Sequence, residues 1–200
     1  MKLRFTIITL LLFVFATGTI TAQDKILSAR KLRKKKIYTS IEKALKNPEK
    51  VYRLHLDRKN NKDSALTEVP TTIFQLPNLQ ELSIANNNIE SLPDELFKIT
   101  NLQILILSFN PIEEISDDIS KLKNLRILEM KFCKLTYLPI ELSKLSNLEE
   151  LDIYANHISD IPKEFALLKN LEVFIIRKNG ITKAIQDRVK AMLPKTDFER

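Results

Sequence analysis

Two histidines, one cysteine and several adjacent carboxylate pairs are the side chains through which this 200-residue chain could do chemistry. His55 or His157 could move a proton, and Cys133 could attack an electrophile once ionised. Glu113-Glu114, Asp117-Asp118 or Glu149-Glu150 could divide acid and base roles. The spacing denies each of these. The histidines fall at unrelated places in the chain's pattern, and the carboxylate pairs read as solvated surface groups. A catalytic thiol needs exposure and a nearby base, whereas Cys133 falls at a repeat position that suits a small buried residue. No His-Glu-x-x-His, Gly-rich phosphate loop or Gly-x-Ser-x-Gly is present. A single cysteine excludes an internal disulfide and the usual cysteine zinc sites. The expectation is a chain without catalytic residues, metal, cofactor or small-molecule substrate.

The elements that position these residues follow a period of 23. Asn-Leu recurs at Asn78-Leu79, Asn101-Leu102, Asn124-Leu125, Asn147-Leu148 and Asn170-Leu171. Behind each leucine the same pattern returns: Leu79, Leu82, Ile84, Asn87, Ile89, and one period later Leu102, Leu105, Leu107, Asn110, Ile112. The third copy carries Cys133 where the others carry Asn87, Asn110, Asn156 and Asn179. A degenerate copy opens at Val51, Leu54, Leu56 and carries an insertion around Asn60 to Ser64. Such a period means stacked units, each too small to bury its own apolar side. The composition, 44% hydrophobic and 28% charged, supplies a core and argues against disorder.

This pattern resembles the leucine-rich-repeat family, L-x-x-L-x-L-x-x-N/C-x-L, over roughly residues 51–193. Val69-Pro70, Leu92-Pro93, Leu138-Pro139 and Ile161-Pro162 add an L-P half similar to a 23-residue bacterial and scaffold class, and Ile115-Ser116 departs from it. The resemblance implies a curved α/β solenoid. Its parallel sheet lines the concave face, short helical or 3₁₀ turns lie on the convex side, and helices cap both ends. Units start near 51, 79, 102, 125, 148 and 171. Asn87, Asn110, Asn156 and Asn179, with Cys133 in the same place, are expected to form a structural ladder serving buried turn backbone.

Side chains alternate along a strand, so the residues between the buried apolar sites face outward. One outward column reads Arg53, Glu81, Ile104, Ile127, Glu150, Val173, and the next His55, Ser83, Ile106, Glu129, Asp152, Ile175. Ile104, Ile106 and Ile127 then form an apolar patch, with Phe109 and Phe132 at its edge. Glu129, Glu150 and Asp152 form an acidic flank beside it, next to Tyr154. An apolar centre ringed by charge is how interfaces concentrate energy, so these seven residues, without the two phenylalanines, are the candidate partner site. The expected function is protein recognition through the concave face. A structural or self-associating module is the alternative.

The ends differ from the body. Lys2 and Arg4, an uncharged run from Phe5 to Phe15 and a small polar stretch to Ala22 have the order of a secretory signal, 1–22. Cleavage after Ala22 is expected, with Gly18 the alternative, and the chain is expected to be exported. The leader, 23–37, carries Arg30, Lys31, Arg33, Lys34, Lys35 and Lys36. It reads as a flexible, solvated segment, with contact to an anionic surface as the second reading. The run lacks the interleaved aromatics of a nucleic-acid site. Thr39 to Glu42 reads as a capping box opening a cap helix within 38–50. Ile185, Val189, Met192 and Leu193 give a closing helix within 182–193, and 194–200 reads as a frayed tail.

Overall fold

The computed structural model describes residues 26–60 and 65–198. The expected signal peptide and residues 61–64 of the insertion lie outside the described residues. Seven parallel strands stand in chain order in one sheet: β1 (Ile37–Tyr38), β2 (Arg53–His55), β3 (Glu81–Ser83), β4 (Ile104–Ile106), β5 (Ile127–Glu129), β6 (Glu150–Asp152) and β7 (Val173–Ile175). The middle residues of β2 to β7, Leu54, Leu82, Leu105, Leu128, Leu151 and Phe174, pair in register and are fully buried. Each strand is short because the chain must turn away after one pleat to build the opposite wall.

That wall consists of 3₁₀ turns at Thr71–Gln75, Asp94–Lys98, Asp117–Lys121, Ile140–Lys144 and Lys163–Leu167. Pro70, Pro93, Pro139 and Pro162 precede four of them, fixing φ where the chain turns. Ser116 takes the same place in the third, and its hydroxyl accepts from Asp118 N at 3.2 Å. One apolar cluster fills the space between sheet and turns. The α/β solenoid with helical ends is the observed architecture.

The stack is held at its edges by two sets of asparagines. Asn110 Nδ2 donates to Ile84 O and Leu107 O at 2.9 and 2.8 Å, and its Oδ1 accepts from Ile89 N at 3.1 Å. Asn156 does the same for Met130, Ile153 and Leu135. Asn87 and Asn179 repeat the arrangement. On the outer surface the asparagine of each Asn-Leu pair donates to the unit before it. Asn101 reaches Pro77 O at 3.1 Å, Asn124 reaches Thr100 O at 2.9 Å and Asn147 reaches Lys123 O at 2.8 Å.

The ends depart from expectation. The leader is placed, not loose. Residues Ala29–Arg33 form helix α1 with Leu32 buried, and β1 then pairs with β2. Apolar burial and backbone bonds hold this segment despite its charge. In helix α2 (Ile41–Leu45) Ser40 is the cap, accepting from Lys43 N at 3.4 Å, so Glu42 cannot complete the expected box. Helix α3 (Lys183–Met192) closes the far end under a Thr182 cap, with Val189 fully buried. The tail is not frayed through 198. Asp197 bridges Val173, Thr196 Oγ1 donates to Leu171 O at 2.6 Å, and Phe198 is buried beside Phe174.

Candidate partner-binding face

Strand register sets the outward columns side by side: Arg53, Glu81, Ile104, Ile127, Glu150, Val173, and His55, Ser83, Ile106, Glu129, Asp152, Ile175. The first third of this face is closed by its own polar groups. Glu81, 3% exposed, accepts from Arg53 Nε at 2.7 Å and Nη2 at 2.9 Å, and meets His55 Nε2 at 2.6 Å. Asp57 accepts from Ser83 Oγ and, at 3.0 Å, from Ala85 N.

Burial alone would raise the Glu81 pKa, but the hydrogen bonds from His55 and Arg53 outweigh it and hold the carboxyl below 4.5. A carboxylate depressed in the folded state contributes stability above its unfolded pKa and loses it as pH falls through the folded value. The urea midpoint is therefore expected to drop as the solution is acidified below 4.5, and Glu81→Gln to flatten that drop. Parallel pH curves for the two proteins would count against it.

The middle of the face holds the candidate site. Ile104, Ile106 and Ile127 are half-buried. The acidic flank is not the free acidic surface its sequence suggests. Lys131, from the next outward position, sits 3.1 Å from Glu129 and 3.1 Å from Asp152. Burial would lower the Lys131 pKa, but these two carboxylates outweigh it and raise it. Asp152 also accepts from Tyr154 N at 2.9 Å. Glu150 is set apart from this triad, lining a cleft with Ile104, Ile127 and Val173 under α1.

Beside the triad stands an aromatic rib. The rings of Phe109 and Phe132 stack at 4.6 Å and 14°, and Tyr154 tilts against Phe132 at 5.3 Å. Phe109 is 42% and Phe132 47% exposed. Both have positive φ, 60° and 53°, and the equivalent places hold Asn86, Ala155 and Lys178 at similar angles. A left-handed conformation is unfavourable for a bulky residue and cheap for asparagine. The fold needs the backbone angle but not the rings. The sequence places Lys131 and the two phenylalanines near the patch, but it does not show the Lys131 side chain reaching both Glu129 and Asp152, nor the Phe109–Phe132 stack.

Arg30, Lys31, Arg33, Lys34, Lys35 and Lys36 are all exposed. Arg33 O and Lys35 O accept from Arg53 Nη1 at 3.1 and 3.4 Å. Lys35 and Lys36 lie over the rings of Tyr52 and Tyr38, at 4.1 and 4.6 Å.

Groups with reactive potential are dispersed. Burial pushes the Cys133 thiol up to about 11, which keeps it protonated at neutral pH. Among the described residues no three potential metal ligands gather. Cys133 Sγ donates to Leu107 O and Lys131 O at 3.7 and 3.8 Å. It has no oxygen to offer Ile112 N, as Asn110 offers one to Ile89 N. Cys133→Asn is expected to stabilise the stack by about 1 kcal/mol, the net worth of one such bond. A melting temperature at or below that of the parent chain would refute this.

Comparison with known sequences and structures places the repeats. A family model described as Leucine rich repeat matches residues 49–112 and 77–135, and one described as Leucine Rich repeats (2 copies) matches 123–167. A solved LRR protein of Leptospira interrogans is 30% identical, with 81% of this chain and 45% of that one aligned, at a TM-score of 0.67. This chain thus spans less than half of that protein. No curated protein matches.

Proposed function

The chain belongs to the leucine-rich-repeat family, and from that premise we propose that it is an exported, non-enzymatic module that binds a protein partner on the middle of its strand face. Repeats of this family suggest an interaction module. The finer reading rests on one observation, the exposed Phe109–Phe132 stack held at positive φ. A conformational cost borne by large exposed aromatics marks a surface kept for contact. Ile106 and Tyr154 extend the apolar centre, and the Glu129–Lys131–Asp152 triad gives a polar rim with its charges already paired. Export rests on the signal-like order of residues 1–22.

Affinity capture from the exported fraction and from contacting cells tests this reading, with Ile106→Asp as the control bait. The expected result is a protein retained by the parent chain and lost with Ile106→Asp, whose melting temperature stays unchanged. Equal retention by both baits rejects the face. Light scattering across concentration addresses self-association. A mass that rises with concentration, and fails to rise in Ile106→Asp, would assign the face to a second copy instead.

A further inference from the structure

A second surface, independent of the aromatic rib, lies along the rim where the strands begin. The residue after each unit's first apolar site, Tyr52, Gln80, Gln103, Arg126, Glu149 and Glu172, forms a further column. It is aligned by backbone bonds such as Gln103 N to Gln80 O and Arg126 N to Gln103 O, each 2.8 Å. Leader residues 27–33 lie along this column.

Three features of the rim act as receptors. The first is a backbone clamp. Gln80 and Gln103 are 2% and 1% exposed. Gln80 Oε1 accepts from Leu27 N at 3.0 Å, and Gln103 Nε2 donates to Leu27 O at 2.8 Å. The carboxamides also bond each other at 2.8 Å, so the pair is set without the leader. Holding both the N–H and the C=O of one residue recognises main chain, as strand addition does. The second is an apolar socket. Leu32 is 1% exposed yet stands outside the main core cluster. It walls a cleft of about 180 Å³ together with Ile104, Ile127 and Val173. The third is an acidic wall in the same cleft. Glu149, Glu150 and Glu172 line it together with Arg33, and Arg126 is bonded to Glu149.

The occupant is weakly held by its own means. A helix of five residues does not persist alone in water. Ser28 gives α1 no side-chain cap, and its first turn has no acidic residue. The seat is therefore built into the repeats, and the leader's order is borrowed from it.

We propose that this rim is a docking groove for a short basic peptide segment bearing a leucine, filled in this chain by its own residues 27–33. A partner segment with a clamped extended residue followed by a leucine among arginines and lysines competes with the leader for the groove. This does not depend on the aromatic rib, whose test leaves the rim untouched.

The test uses a fluorescent peptide of residues 26–36 and the full chain carrying Leu32→Asp, which empties the socket without altering the repeats. Circular dichroism and the melting temperature verify the fold, and Leu32→Ala replaces it if Leu32→Asp aggregates. The peptide is expected to bind the variant, and to bind the parent chain roughly tenfold more weakly, because apparent affinity scales with the fraction of molecules whose groove is open. A peptide with its own leucine changed to Asp is expected to lose binding to the variant. Equal binding by parent and variant overturns the proposal. So does binding that survives the peptide's Leu→Asp change, as attraction by charge alone would give.

Discussion

Asn110→Ala is expected to lower the unfolding free energy by several kcal/mol, while Asn124→Ala lowers it by less than about 1 kcal/mol. The residues have the same chemistry and opposite surroundings. Asn110 is 2% exposed and serves Ile84 O, Leu107 O and Ile89 N. Removing its carboxamide leaves those backbone groups unpaired inside the stack, at about 1–3 kcal/mol for each group that water cannot reach. Asn124 donates to Thr100 O at an exposed position, where water takes over the bond. The total for Asn110 approaches the whole stability of an ordinary domain, about 5–15 kcal/mol. In a stack where each unit rests on its neighbours, a failure in the middle also stops propagation in both directions. Urea titrations of the two variants check this. Equal midpoint shifts would show that ladder burial does not set the cost.

Phe109→Asn with Phe132→Asn is expected to separate stability from binding. The double change relieves about 1–2 kcal/mol of left-handed strain per residue. It forfeits a stacking contact of about 0.5–1.5 kcal/mol and some apolar burial. These terms nearly cancel, so the melting temperature should stay close to that of the parent chain. Asn86 already occupies the equivalent place at φ 57°, so the backbone accepts asparagine there. Affinity for the captured partner should fall by roughly a hundredfold or more, as when two central anchors worth about 2 kcal/mol each are removed. Melting and binding measured on one preparation decide it. Retained affinity would remove the aromatic rib from the partner site.

The fold was legible because its cause is periodic. Every unit must present apolar groups to the same neighbours, so Leu82, Leu105, Leu128 and Leu151 recur at one interval and align in register. The outward columns followed from the same register. What escaped the sequence lacks a period or lacks a side chain. Leu32 is one leucine in a basic run, and nothing in that run marks it as buried. What Gln80 and Gln103 hold is the backbone of Leu27, and backbone has no letter. β1 has two residues, too few to show alternation. Lys131 was visible as a cation, but where its long side chain settles is not written in the register, and it bridges Glu129 and Asp152. The recurring Asn of each Asn-Leu pair marked the period, while its bond to the preceding unit depends on a turn geometry that spacing does not reveal.

A sheet that grows by adding identical layers has two open edges, and each is a template for another molecule's strand. Among the described residues the outermost strand on one side is the two-residue β1, and the run Lys34, Lys35, Lys36 leads directly into it. Lysines beside so short an edge make a second chain's approach both electrostatically costly and poorly rewarded in backbone bonds. At the other end, Asp197 N donates to Glu172 O and Asp197 O accepts from Phe174 N, so the tail takes the bonds an incoming strand would need. Among the described residues these short segments occupy both ends of the sheet, the places where a further strand would have to add.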